Sequence, residues 1–396
     1  MVSAALGPTL DAPTTGKWVQ SPGWDTFWMF SALWGGALLL LGAGFFQVAL
    51  LAFWVLLLQR TVSTAHAWST TWMVVGSSLL AEQRRAHPLK YVVIPVAIAA
   101  VSMALGFAVA LAQRYPADGR FVPDLWVWGL YLGLFWIGHF WHFGNQDFGV
   151  LTIYRARAGQ NRWIDRRVDK LYTAAMMFVI QPVAYIGLID STAFSELVRT
   201  VLPLPNWMLA NAATAAVLAA IVLTAAVTLF ELSKPTRSLP RLLYIFVIFL
   251  HPVLIYAASR ANSELIGLLY VIAYLWSHWL IALGLVGRIN GHYYQSRGET
   301  RGLALLRHVA ILSGIVGLVL VLTHSYNDYL LFSVSGFAYK ERLAAIAHAD
   351  RWIIGAVMGF FLAEQLVHYY CDRCLFRFRD PVIRSKVGPL LFGNPR

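Results

Sequence analysis

The sequence of 396 residues predicts an all-α protein, a polytopic integral membrane bundle of nine to ten transmembrane helices. Three observations carry this. Hydrophobic residues make up 59% of the chain and charged residues 13%, against roughly 45–50% and about 25% in soluble globular domains. Apolar stretches long enough to cross about 30 Å of hydrocarbon recur along the chain. The segments between them alternate between basic and weakly charged. So few charges cannot cover this much apolar side chain in water, and intrinsic disorder needs the opposite composition.

The elements follow in order. Residues 1–26 are polar, contain Pro and Gly, carry one Lys (Lys17) and lack the short apolar core of a signal peptide. They are expected as an N-terminal segment ahead of a transmembrane domain at 27–371 and a basic tail at 372–396. The first apolar run, Phe27 to Leu58, is about twice the length of a signal-peptide core and is expected to stay in the membrane. Residues 61–82 are rich in Ser and Thr and could span, re-enter or lie at the interface. Further spans are expected near 91–113, 124–146, 171–189, 207–230, 242–259, 264–287, 303–323 and 352–371. Each must be helical, because lipid offers no partners to unpaired backbone groups.

The loops sort by charge. Arg84 to Lys90, Arg155 to Lys170, Lys234 to Arg241, Arg288 to Arg307 and Arg373 to Arg396 are basic, whereas 114–123, 190–206, 260–263 and 324–350 are not. The positive-inside rule puts the basic loops and the C-terminus in the cytoplasm of a bacterial-type inner membrane. These loops also absorb most of the formal net charge of +12, so no nucleic acid or acidic partner need be invoked. The expected partners are the bilayer and a lipophilic small molecule; the oligomeric state stays open. Two cysteines exclude a disulfide scaffold. They form a lone Cys371-Asp372-Arg373-Cys374, a weak signal for redox or metal chemistry.

Ionisable groups inside spans cost about 2.5–3.5 kcal/mol each on insertion scales and call for a partner or a function. His139 and His142 lie three apart in an aromatic span, with Gln146 four beyond His142 and Asp147 next to it. His251 precedes Pro252 in another span. His278 sits mid-span in Trp276-Ser277-His278-Trp279. The last span carries Glu364, His368 and Asp372 at i, i+4, i+8, which stacks a carboxylate, an imidazole and a second carboxylate on one helical face. That ladder suits a hard or borderline metal such as iron. Counted from the outer span ends, His142, His278 and His368 lie about 18, 14 and 16 residues in, at one level of the cytoplasmic half. His66 joins that level if 61–82 stays on the inner face, which would put the N-terminus outside. His87, His292 and His348 read as solvated loop residues; His308 and His324 receive no role.

His142-Phe143-Gly144-Asn145-Gln146-Asp147-Phe148 resembles the His-Phe-Gly-x-x-Asp motif of the bacterial Brp/Blh family of β-carotene 15,15′-dioxygenases. His368-Tyr369-Tyr370-Cys371-Asp372, with Leu375-Phe376-Arg377, is similar to that family's last-helix motif. His278 is similar to its penultimate histidine and His66 to its opening one. The sequence departs from the family pattern at Ala65-His66-Ala67, where the family has Pro-His-Gly, and at Ala282, where it has a second histidine. The chain is also longer than typical members. The resemblance implies histidine-bound iron and a cleft for a lipophilic polyene.

The reading is a membrane-embedded, O2-dependent oxidoreductase, a non-haem iron oxygenase acting on a carotenoid, isoprenoid or lipid. His66, His142, His278 and His368 are the expected ligands, with His139 and His251 in reserve. Glu364 is expected as a carboxylate ligand or bridge, and Asp147 and Asp372 as groups that fix imidazole tautomers. The alternatives are a b-type haem electron carrier, a proton-coupled transporter using intramembrane His and Glu, and a structural subunit of a membrane complex.

Overall fold

The computed structural model describes residues 17–112, 125–160, 162–190, 205–261, 263–296, 298 and 351–392. The span expected at 303–323, and His308, His324 and His348, lie outside the described residues. Within them the chain is helical, with no strand. Helices α1 (Pro22–Trp28), α2 (Ser31–Ala43) and α3 (Val48–Val75) are followed by the short α4 (Ala81–Ala86). A π turn at Leu89–Val93 leads into α5 (Ile94–Ala112), and α6 spans Leu125–Arg157. Helices α7 (Trp163–Ala175) and α8 (Gln181–Asp190) join through a π turn at Met176–Ile180. Then come α9 (Asn206–Leu232), α10 (Leu239–Ala261) and α11 (Glu264–Tyr270). A third π turn, Val271–Trp276, connects α11 to α12 (Ser277–Gln295). Helices α13 (Arg351–Leu375), α14 (Pro381–Lys386) and α15 (Gly388–Phe392) complete the described chain.

Among the described residues, four stretches are long and apolar enough to cross a membrane: Leu89–Ala112, Asn211–Leu232, Leu239–Arg260 and Leu265–Tyr294. A fifth is added if α1 and α2, bent by 64° at their junction, form one broken span. Val96 and Val101 on α5, and Leu218 and Val222 on α9, face outward and are exposed. Apolar side chains on the outside are what a lipid-facing helix carries. Helices α3, α6 and α13 coincide with further expected apolar runs but carry more polar residues, His66, His142 and His368 among them.

The first expected span is drawn differently. Residues 27–58 are not one helix: α2 stops at Ala43, and the chain turns through Gly44–Gln47 before α3 begins. The amides of Phe45 and Phe46 fold back onto the Gly42 carbonyl and close the α2 end. Hydropathy hides this break, because Gly44, Phe45 and Phe46 are as apolar as the helices beside them. Residues 61–75 continue α3 and are no separate segment, so His66 sits well inside a helix of 28 residues.

Helix α13 packs most extensively along α5, and also against α3 and α6. The α5 contact depends on missing side chains. A Cβ on Gly106 would lie 2.1 Å from the Gly359 backbone nitrogen and 2.6 Å from the Gly355 carbonyl oxygen. Gly355 and Gly359 form a G-x-x-x-G pattern, the small-residue spacing that lets membrane helices approach closely. Because the obstacle is backbone, a side chain at Gly106 must push the helices apart. Gly106→Val is expected to cost more than the usual 1–3 kcal/mol of overpacking, read as loss of the monodisperse peak in detergent gel filtration. A wild-type profile would show that the crossing is looser than described.

A buried ion-pair network ties together the ends of α6, α7, α9 and α10. Arg241 pairs with both Glu231 and Asp169, and Arg155 Nε lies 3.4 Å from Asp169. Lys234 lies 2.9 Å from Glu231 and 3.0 Å from Asp165. Gln160 donates to Glu231 at 2.7 Å, as does the Ser238 amide at 2.9 Å. Burial pushes the Asp169 carboxyl up, against the pull of Arg241 and Arg155. Three of the cations in the basic loops are therefore internal fasteners as well as orientation signals.

At the N-terminal end, buried Asp25 accepts from the Val19 amide and from the Tyr154 hydroxyl, both at 2.9 Å, fixing the chain before α1 to α6. At the other end, α15 docks on α12, where Arg288 Nε donates to the Leu391 carbonyl at 2.6 Å. His292 is not a solvated loop residue: α12 runs on to Gln295, and the imidazole is buried against the Leu390 carbonyl.

Candidate metal centre

Four histidines from four different helices meet inside the bundle: His66 on α3, His142 on α6, His278 at the start of α12 and His368 on α13. All are buried. The His66 ring centre lies 4.7 Å from that of His368, 5.3 Å from His278 and 6.1 Å from His142. The His142 centre lies 4.7 Å from His278 and 4.8 Å from His368. Asp372 reaches the same place, one turn after His368, with Oδ2 3.6 Å from His142 Nε2.

This grouping suits a bound ion better than a packed core. His66, His142, His368 and Asp372 each offer a ligand atom, all within 4.8 Å of one another. Among the described residues, neither ring nitrogen of His66 has a hydrogen-bond partner, and Asp372 Oδ1 has none either. Buried polar atoms without partners are costly unless something else satisfies them. His278 Nε2 stands 2.9 Å from His142 Nε2. Two imidazole ligands at right angles around an ion about 2.1 Å from each would stand about 3.0 Å apart. The donor set, imidazoles with one carboxylate, is that of a borderline divalent metal.

The helices hold these rings by contacts of their own. Gln146, one turn beyond His142, donates to the His278 carbonyl at 2.8 Å and so joins α6 to α12. Phe143 lies flat against His278, with centroids 3.5 Å apart and planes 7° from parallel. Tyr369 stacks on His142 at 4.4 Å.

The other candidates fall around the group. His139 lies on the far side of Phe143 and Tyr369, with Tyr274 Oη 3.1 Å from its Nε2 and Tyr369 Oη 3.4 Å from its Nδ1. His251 packs on Tyr274, ring centres 4.8 Å apart. Asp147 accepts from the Tyr244 hydroxyl at 2.7 Å. Glu364 precedes His368 by one turn of α13 and is partly exposed. Cys371 and Cys374 are buried free thiols beside Asp372.

The tyrosines around His139 were beyond the reach of sequence reasoning. Tyr369 donates onward to Gln365 Oε1 at 3.4 Å. Spacing on α13 places Gln365 one turn before Tyr369; nothing in the sequence joins either to Tyr274. A cavity of about 20 Å³ adjoins the group, lined by Ser63, His139, Gln365, His368 and Tyr369, with Phe143 and Trp279 among its apolar walls.

No family model matches the chain, and neither does any curated protein or solved structure.

Proposed function

We propose that the chain is a membrane-embedded non-haem metal oxygenase, with iron as its metal and a lipophilic molecule as its substrate. The observation that carries this is the convergence of His66, His142, His278 and His368 from four separate helices, with Asp372 among them. A single buried histidine is ordinary packing. Four that crowd each other, His66 with neither nitrogen hydrogen-bonded among the described residues, call for a common partner.

Iron held by these residues would supply the binding and activation of O2. The protein's own part is to hold the imidazoles neutral and oriented, to keep bulk water out, and to admit the substrate beside His368. The aromatic walls, Phe143 and Trp279 among them, suit an isoprenoid, carotenoid or lipid chain. A cavity of 20 Å³ has room for about one water. A long chain would therefore enter by displacing these aromatic side chains. The full reading has nine to ten spans in a bacterial-type inner membrane, with the C-terminus cytoplasmic. The exposed apolar faces of α5 and α9 support the membrane setting.

Haem b is the second reading. The imidazole centres, 4.7–6.1 Å apart, favour a single ion over a macrocycle, because they leave no open plane between opposed histidines. Elemental analysis of detergent-purified protein, with its optical spectrum, tests both. Stoichiometric iron without a Soret band is expected. A sharp Soret band would replace this reading with the haem one, and protein purified with no metal and no affinity for added Fe(II) would end both.

A further inference from the structure

We propose that the small cavity beside His368 is a binding site for a ligand of two or three atoms with a hydrogen-bond-accepting end, received by the amide N–H groups of Gln365. The argument starts from proton direction. Tyr369 donates its hydroxyl proton to Gln365 Oε1. With that proton committed, His139 Nδ1 must be the donor toward Tyr369, at 3.4 Å. A neutral imidazole has one donor and one acceptor nitrogen, so Nε2 accepts, and the Tyr274 hydroxyl donates to it at 3.1 Å. The chain Tyr274, His139, Tyr369, Gln365 therefore runs one way. Its last member, Gln365, turns its amide oxygen to Tyr369, which leaves the NH2 group as the donor end of the side chain.

Gln365 is buried and lines the cavity together with His368. The two are three residues apart on α13, neighbours on one helical face. A ligand between them touches the donor group on one side and the amide on the other. The free space of about 20 Å³ sets the size class: it holds about one water, and it excludes a substrate chain unless side chains move. Ser63 adds a further polar group to the wall, and two to four polar partners are what a small polar guest needs. This deepens the metal-centre reading and rests on it only where a metal is used in the test.

Azide is the probe, with cobalt(II) as a coloured stand-in for the metal. Azide titration of the cobalt-loaded full chain is expected to change the visible spectrum. Gln365→Leu should weaken azide roughly tenfold, the scale of one buried hydrogen bond, at unchanged cobalt content. Gln365→Met, unbranched, should do the same and guards against a folding defect of the first variant. Wild-type azide affinity in both variants overturns the proposal. The metal-free protein gives the arm that is independent of the metal. A shifted azide infrared stretch that disappears in Gln365→Leu supports the site, and no shifted band in the wild type overturns it. Failure to bind cobalt would count against the metal centre alone, leaving the infrared result to decide this inference.

Discussion

His142→Ala and His368→Ala should each lower metal affinity by about a hundredfold or more while the protein still folds. Removing groups that merely support a ligand already costs about 10–100-fold, and these two rings are members of the group itself. Elemental analysis after dialysis reads the loss, and thermal unfolding in detergent checks the fold. His139→Gln is the contrast, because both nitrogens of His139 already face tyrosine hydroxyls, and it should retain its metal. Stability should move the opposite way in the metal-free protein. His66 has two buried nitrogens without partners among the described residues, so His66→Leu should unfold at a higher temperature than the metal-free wild type. Full metal content in both alanine variants would remove the site assignment.

Arg241→Met should be the most damaging change away from the centre, at about 3–5 kcal/mol, the range for breaking a buried ion pair from one side. Arg241 is fully buried and serves Glu231 and Asp169 together. Its loss leaves two internal carboxylates, one from α9 and one from α7, with weaker compensation. Arg241→Lys should recover little, because a compact ammonium cannot replace a planar fork between two acids. Folded yield and the unfolding temperature in detergent are the measurements. A wild-type melting curve for Arg241→Met would mean that water already solvates this network.

What the sequence made legible is local. His142 with Gln146, and His368 with Asp372, fall at helical spacings, and a helix places such residues on one face whatever surrounds it. A shared depth then singled out His278, and it singled out His66 on one arrangement of the N-terminal helices. The rest depends on tertiary placement. The turn at Gly44–Gln47 carries a single polar residue, Gln47, inside an otherwise apolar run. Arg155, Lys234 and Arg241 look like loop charges until α7 and α9 bring Asp165, Asp169 and Glu231 to them. The close approach of Gly106 to Gly355 and Gly359 likewise depends on how α5 and α13 cross, which no local pattern states.

The π turn at Val271–Trp276 ends two residues before His278. Wide turns of this kind behave as an extra residue slipped into an α-helix, and they gather at functional sites. One residue more or less rotates everything downstream by about 100°. The aim of His278 is thus decided by how many residues the preceding coil contains, more than by which ones they are. Substitutions there should be absorbed far more easily than a change in chain length.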